Sequence, residues 1–403
     1  MISLEIPARI RPTLDAAAAV ADQILRPISR RYDRAEHIRP QELDLVADLL
    51  KAATQAGGLR AGAASSGRAE SAGSDGRAAG HANLATVLGT MELCRGDVGL
   101  LLALPRQGLG NAAIAAVGTA QQRAEYAGRW AAMAITEPEA GSDAGAIRTT
   151  ATRDGAHYVL NGEKIFVTSG ERADVVVVWA TLDRALGRRA IKSFVVERSN
   201  PGMTLVRLEH KLGIRASDTA AFVLDNCRVP ASALLGDPDI AAEDGFAGAM
   251  ETFDNTRPLV AAMAVGLARA CLDRTTELLA EAGVMVDPDT PHTAQGAAAA
   301  RLLDLEADYA SAYLLTLKAA WLTDQREPNS MAASMAKAKA GRTAVAIAGA
   351  CVELCGPIGY AETELVEKWA RDAKILDIFE GTQQIQLLVV ARRLLDLTSA
   401  ELA

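Results

Sequence analysis

The sequence predicts an α+β protein in which helices, a small sheet domain and helices again follow one another along the chain. From about Thr13 to Arg129 the chain is alanine-rich, with apolar residues at three- and four-residue spacing in Leu43-Asp-Leu-Val-Ala-Asp-Leu-Leu50. That spacing marks one face of a helix. From about Ala131 to Leu235, β-branched and aromatic runs stand between turn residues: Val175-Val-Val-Val-Trp179, Ser193-Phe-Val-Val196 and Ala221-Phe-Val-Leu224. These read as strands. From about Gly245 helical periodicity returns. The order excludes an alternating βαβ protein and sets expected domains at 1–129, 130–236 and 237–403.

In the first part, Gly57 to Gly80 is mostly Gly, Ala, Ser and Arg. Such a segment buries too little apolar surface to order itself strongly, so a mobile loop is expected. In the middle part, Tyr158-Val-Leu-Asn-Gly-Glu-Lys-Ile-Phe-Val167 carries Asn161-Gly162 between apolar pairs. This predicts a hairpin turn, because a type I′ turn needs positive φ at both central residues. In the last part, helices are expected near 247–283, 293–325, 331–355 and 383–397, with Pro288, Pro291 and Pro328 at the joins.

The chain has 403 residues, enough to bury a large core in two or three domains. It is 50% hydrophobic without an uninterrupted apolar run long enough to span a bilayer. Met1-Ile-Ser-Leu-Glu-Ile-Pro7 has no basic region followed by an apolar stretch, so no secretory signal is expected. Net charge is −8, with Lys and Arg scattered along the sequence, which argues against nucleic acid as the main partner. Cys94, Cys227, Cys271, Cys351 and Cys355 match no zinc or disulfide framework and read as reduced core residues. The histidines are dispersed and form no metal-ligand pattern. A reduced, cytoplasmic, metal-free protein is expected.

Three segments carry candidate chemistry. Ala134-Ile-Thr-Glu-Pro-Glu-Ala-Gly-Ser-Asp-Ala-Gly145 puts hydroxyls, carboxylates and glycines into one short loop. Its backbone N–H groups, with Thr136 and Ser142, suit an anionic or carbonyl-rich cofactor; an ordinary strand-to-strand turn reads the same way. Ile378-Phe-Glu-Gly-Thr-Gln-Gln-Ile-Gln386 places Thr382 to cap a helix starting at Gln383. Glu380, beside Ile378 and Phe379, is either a desolvated general base or a charge assisting that helix terminus. Glu251-Thr-Phe-Asp-Asn-Thr-Arg-Pro258 offers Arg257 as a substrate clamp or as the ion-pair partner of Asp254.

Together these segments resemble the acyl-CoA dehydrogenase family, most of all its medium- and short-chain members of actinobacterial type. The matching segments run in order over nearly the whole chain: Ala134–Asp143, Leu160-Asn-Gly-Glu-Lys-Ile-Phe-Val-Thr168, Phe253-Asp-Asn-Thr-Arg-Pro258, Trp369-Ala-Arg-Asp-Ala-Lys374 and Phe379–Gln386. The resemblance implies an N-terminal helical domain, a β-barrel-like middle domain and a C-terminal four-helix bundle. FAD would lie between the last two. Met133, Ala134, Ile135 and Thr136 would line the flavin, with Ser142 close to flavin and substrate. Phe166, Val167 and Thr168 would cover the other face, Phe166 standing where many relatives have Trp. Asp254, Thr256, Arg257 and Gly381 would meet the acyl-CoA, and Thr382 and Gln384 would meet FAD.

The reaction implied is α,β-dehydrogenation of an acyl-CoA thioester to the trans-2-enoyl thioester, as in fatty acid β-oxidation. Glu380 would remove the α-proton while the β-hydrogen leaves as hydride to flavin N5. The Glu380 N–H and the flavin ribityl chain would stabilise the carbonyl oxygen. Some relatives carry the base at the position of Thr256, which cannot serve. An electron-transfer flavoprotein is the implied acceptor. Two segments depart from the family pattern. Glu277–His292 lacks an Arg and a Phe-Gly that reach a neighbouring subunit's FAD, and Glu353-Leu-Cys-Gly-Pro357 replaces a Gln and paired glycines. A homo-oligomer, or an α2β2 heterotetramer with a related subunit, is therefore expected. A flavin oxidase or monooxygenase on the same fold and a non-catalytic partner subunit are the alternatives. The acyl group, and whether CoA or a carrier protein bears it, stay open.

Overall fold

A computed structural model describes residues 6–55, 81–106, 108–239, 247–398 and 401. The side chains at 51–55, 247–252, 254 and 255 lie outside the description, as does the loop expected over Gly57–Gly80. The α+β class holds, with helices on either side of a curled sheet.

The first helices are α1 (Arg11–Val20) and α2 (Arg26–Ala35), which run together through a π turn at Ala21–Leu25. Then come α3 (Glu42–Gln55), α4 (Ala82–Gly96), α5 (Val98–Leu102), α6 (Leu109–Val117) and α7 (Ala120–Glu125). In α3 the predicted stripe is real: Leu43, Val46 and Leu50 are buried while Leu45 and Leu49 face out. Asp97 starts α5 by accepting the Leu100 N–H at 2.8 Å. Thr119 and Gln122 close a capping box on α7.

Among the described residues, the strands are β1 (Ala131–Ala134), β2 (Thr150–Asp154), β3 (His157–Thr168), β4 (Val175–Thr181), β5 (Ile191–Glu197), β6 (Met203–Leu208) and β7 (Thr219–Pro230). They lie in the order β1-β4-β2-β3-β7-β6, with β5 on β4. β4 is buried along its whole length, which explains its unbroken valine run. One face of it packs with Phe194, Phe222 and Leu224, the other with α6.

The hairpin expected at Asn161-Gly162 is elsewhere. β3 runs straight through that dipeptide, and the β2–β3 turn is made at Gly155. Asn161-Gly162 instead marks a bulge in the β3–β7 ladder. The Asn161 side chain accepts the Asn226 N–H at 2.8 Å. Gly162 has φ +153°, and a Cβ there would stand 2.4 Å from Thr149 Oγ1. Glycine is needed for close approach between strands rather than for a turn.

The C-terminal helices are α8 (Ala247–Glu281), α9 (Ala297–Asp324), α10 (Ser330–Tyr360), α11 (Val366–Leu376) and α12 (Gln383–Leu395). α10 kinks at Gly356, φ +55° and ψ −135°, just before Pro357. Among the described helices, α10 alone is long and apolar enough to cross a bilayer by length and composition; here it packs against α8, α9, α11 and α12. No helix was expected at α11. Its apolar stripe of Val366, Trp369, Ala373 and Leu376 is interrupted by buried Lys368 and Asp372, which hides the periodicity. All the cysteines are unpaired, and only Cys355 is other than fully buried.

Candidate active site

The sheet and the C-terminal helices enclose a cavity of about 930 Å³. Its sheet-side wall comes from β1, the loop after it and the end of β3. The other wall comes from α8, the turn between α11 and α12, and α12 itself.

Glu380 lies in that turn with φ +54°, and Gly381 continues it at φ +90°. A non-glycine residue held there costs about 1–3 kcal/mol and persists only where its surroundings fix it. Thr382 caps α12 as expected, accepting the Ile385 N–H at 3.4 Å. Gln383 N donates to the Asp377 carbonyl at 3.2 Å. The fully buried Gln386 side chain donates to the Glu380 and Gly381 carbonyls at 3.0 and 3.2 Å. On the carboxylate, Oε2 accepts a close hydrogen bond from Thr256 Oγ1. Burial raises the Glu380 pKa above the ordinary carboxylate range, outweighing the Thr256 bond and the positive charges of Arg257 and Lys337. Glu380 keeps some solvent contact as a residue, but its carboxylate is hemmed in by protein.

The Ala134–Gly145 loop is shaped from inside by Glu137. Its carboxylate accepts the N–H groups of Arg148 and Thr149 at 2.6 and 3.0 Å and the Lys164 ammonium at 2.7 Å. Lys164 Nζ also donates to the Ile135 carbonyl at 3.0 Å. Burial lowers the Lys164 pKa to about 8 against the pull of Glu137. With that pair fixed, Met133, Ile135, Thr136 and Ser142 line the cavity.

Of the other expected residues, Phe166, Thr168, Arg257, Gly381 and Thr382 also line it. Phe166 is 59% exposed, at φ +57°, with its ring kept off the core. Thr256 reaches the site through Glu380 while itself buried. The side chains of three expected residues, Ala134, Val167 and Gln384, are not on the cavity. The side chains of Ala134 and Val167 belong to the sheet core, because the strand alternation that turns Met133 and Phe166 to the cavity turns them away. Gln384 is exposed on the first turn of α12 and is not among the lining residues. The Asp254 side chain lies outside the described residues.

Sequence reading missed the cations. Arg188, Lys211, Arg371, Lys374 and Arg392 line the same cavity, although they are scattered along the chain. The available signal was Arg371 and Lys374, three apart and so on one helix face. Arg371 also ties α11 to α2, with Nη1 and Nη2 at 3.0 and 2.6 Å from the Asp33 carboxylate. Next to it, Asp372 accepts the Ile214 N–H at 2.5 Å. Gly213 lies so near that a Cβ would meet the Arg371 carbonyl at 2.5 Å. Lys368 holds Asp372 and Asp97 together at 2.5 and 2.6 Å. α11 therefore carries the Glu209–Ile214 rim of the cavity on one side and leads into the Glu380 turn on the other. At that rim, Glu36, His37 and His210 bring potential metal-ligand atoms within 4.8 Å of one another, which spacing in the sequence does not reveal. Arg172 and Lys211 place opposing positive charge beside His37.

Two family models match the chain: "Acyl-CoA dehydrogenase, middle domain" over residues 132–227, and "Acyl-CoA dehydrogenase, C-terminal domain" over residues 243–395. The chain is 41% identical over 262 residues to the mitochondrial short-chain specific acyl-CoA dehydrogenase of Bos taurus, covering 65% of this chain and 62% of that protein. It is 38% identical over 284 residues to the Mus musculus protein of the same name, covering 69% and 67%. The solved butyryl-CoA dehydrogenase of Megasphaera elsdenii superposes with a TM-score of 0.83 at 30% identity, over 98% of this chain and 100% of that one. The match to the bovine relative thus spans less than two thirds of that protein's length.

Proposed function

The chain belongs to the acyl-CoA dehydrogenase family, and from that premise we propose that it oxidises an acyl-CoA thioester to the trans-2-enoyl thioester with Glu380 as the base. One observation carries this reading. Glu380 is held in a left-handed turn at the cavity, its carboxylate bonded to Thr256 and its pKa raised by burial. A raised pKa makes a carboxylate a stronger base when it is ionised. The left-handed turn aims the side chain at the cavity at an energetic cost that a charge serving only the α12 terminus would not require.

The residues present fit FAD. Phe166 offers an exposed ring for a planar partner to stack on. Arg188, Lys211, Lys374 and Arg392 suit phosphates, and Thr136, Thr168 and Thr382 supply hydroxyls. Met133, Ile135, Thr136, Ser142, Phe166, Thr168 and Thr382 would hold it by their side chains, Ala134 and Val167 only through backbone groups. Bound FAD would supply the acceptor for the hydrogen leaving the β-carbon. Glu380 takes the α-proton. Arg257, buried in the cavity wall, lends positive charge to the side where the thioester carbonyl becomes negative. The apolar side chains of Met133, Ile135, Phe253 and Ile375 exclude water around the acyl chain.

An electron-transfer flavoprotein is the proposed acceptor. Exposed Ile358 and Tyr360 at the end of α10, with Leu387, Leu394 and Leu395 on α12, support an oligomer. Its proposed form is a homo-oligomer or, given the departures at Glu277–His292 and Glu353–Pro357, an α2β2 heterotetramer. A stable, fully FAD-loaded homotetramer of the purified chain would exclude the heterotetramer. The function itself is tested by anaerobic bleaching of the flavin with a panel of acyl-CoA thioesters. The native chain should bleach, and Glu380→Gln should retain flavin yet bleach about 100-fold slower or less. Equal bleaching by Glu380→Gln would overturn the assignment of the base. Reduced flavin that reacts rapidly with oxygen would favour the oxidase alternative.

A further inference from the structure

We propose that Lys337 is the positioning residue of this site, its buried ammonium stapling the two ends of the Glu380 turn and holding Glu380 in its left-handed form. The proposal rests on the reading of Glu380 as the base.

Lys337 stands on α10 among alanines and is 1% exposed. Burying an ammonium is costly, and a residue needed only to fill that space would be apolar. The side chain instead spends its donors on two backbone carbonyls, Gly381 O at 2.6 Å and Asp377 O at 3.2 Å. These are the two ends of the turn that presents Glu380. The same carbonyls are the ones engaged by Gln386 and Gln383, so the ammonium joins two otherwise separate sets of bonds. The turn is thereby anchored to α10 as well as to α11 and α12.

Charge adds a second role. Asp377 and Glu380 from the turn and Arg257 from α8 face the ammonium. Burial brings the Lys337 pKa down to about 8; Asp377 and Glu380 act against that and Arg257 acts with it. Lys337 in turn helps keep Glu380 ionised. Below this pKa the staple is charged. As pH rises through it, the charge is lost, the bonds to both carbonyls weaken and Glu380 is less firmly placed. The base thus needs Glu380 ionised and Lys337 protonated, a bell-shaped requirement made by two residues of which only one touches the substrate.

The test uses the flavin-loaded full chain with Lys337→Met and Lys337→Gln. Two readouts are taken: the pH profile of anaerobic bleaching by butyryl-CoA, and hydrogen–deuterium exchange of the amides from 378 to 386 without substrate. Lys337→Met should lower the maximal rate about 10- to 100-fold with little change in KM. Its acid limb should move to higher pH and its alkaline limb near pH 8 should disappear. Exchange should accelerate in 378–386 and not in α8 or α9. Lys337→Gln, which keeps a donor without the charge, should recover part of the protection while keeping the shifted limbs; it carries the test if the methionine variant does not fold. Unshifted limbs in a folded variant, or faster exchange spread evenly over the bundle, would overturn the proposal. If the native chain bleaches with no thioester, the proposed reaction fails, and the exchange pattern alone then decides whether Lys337 staples the turn.

Discussion

Replacing Thr256 with valine removes one hydroxyl from the site and little else. That hydroxyl donates to Glu380 Oε2 and lies in a buried position on α8. A hydrogen bond to an ionised group contributes about 1.5–3 kcal/mol, and a pKa unit corresponds to about 1.4 kcal/mol. The hydroxyl favours the charged carboxylate, so its loss should raise the Glu380 pKa by about one to two units. The acid limb of kcat/KM for flavin bleaching should move up by the same amount while the plateau is kept. Stability has its own signature. Glu380 already binds its proton more tightly in the fold than in the unfolded chain. Stability therefore falls as pH rises from the unfolded carboxylate pKa through the folded one. Thr256→Val should widen that window: its deficit against the native chain should reach about 1.5–3 kcal/mol at neutral pH and shrink to about 1 kcal/mol or less in acid. Stopped-flow bleaching and urea denaturation across pH measure both. A folded variant whose acid limb and pH-dependent stability coincide with the native ones would refute the coupling between Thr256 and Glu380.

Other perturbations follow from the same geometry. Phe166→Ala should leave the apoprotein's melting temperature nearly unchanged, because the ring is 59% exposed, while flavin occupancy read from the visible spectrum drops. Gly162→Ala should destabilise by about 1–3 kcal/mol in denaturant titration, since the new Cβ meets Thr149 Oγ1 at 2.4 Å and Thr149 Cα at 2.8 Å. Lys368→Met strips the cation from between buried Asp97 and Asp372 and should cost about 3–5 kcal/mol at neutral pH, measured by the same titration.

The layer order was legible because each part keeps one period over many residues, as in Leu43–Leu50 and in the runs at Val175 and Phe194. The Glu380 turn was legible for a local reason: Thr382 caps the helix that follows it, and cap chemistry is written in adjacent residues. What depends on distant partners was not. Asn161-Gly162 has the composition of a turn, yet Gly155-Ala156 already supplies one, and only the nearness of Thr149 explains the second glycine. The helix at Val366–Leu376 was hidden because it buries Lys368 and Asp372, whose partners Asp97 and Ile214 lie more than a hundred residues away. Lys337 gave no signal at all, since a lysine in an alanine-rich helix reads as a solvated position until its carbonyl partners are placed.

The bond from Asp372 to Ile214 makes α11 a lever with two loads. Its middle grips the Glu209–Ile214 rim, and its end runs into the Glu380 turn. Gly213 against the Arg371 backbone leaves no slack between rim and helix. A ligand that pushes on the rim therefore loads α11, the helix that leads into the Glu380 turn. The mouth of the cavity and the turn that carries the carboxylate are thereby tied to one helix.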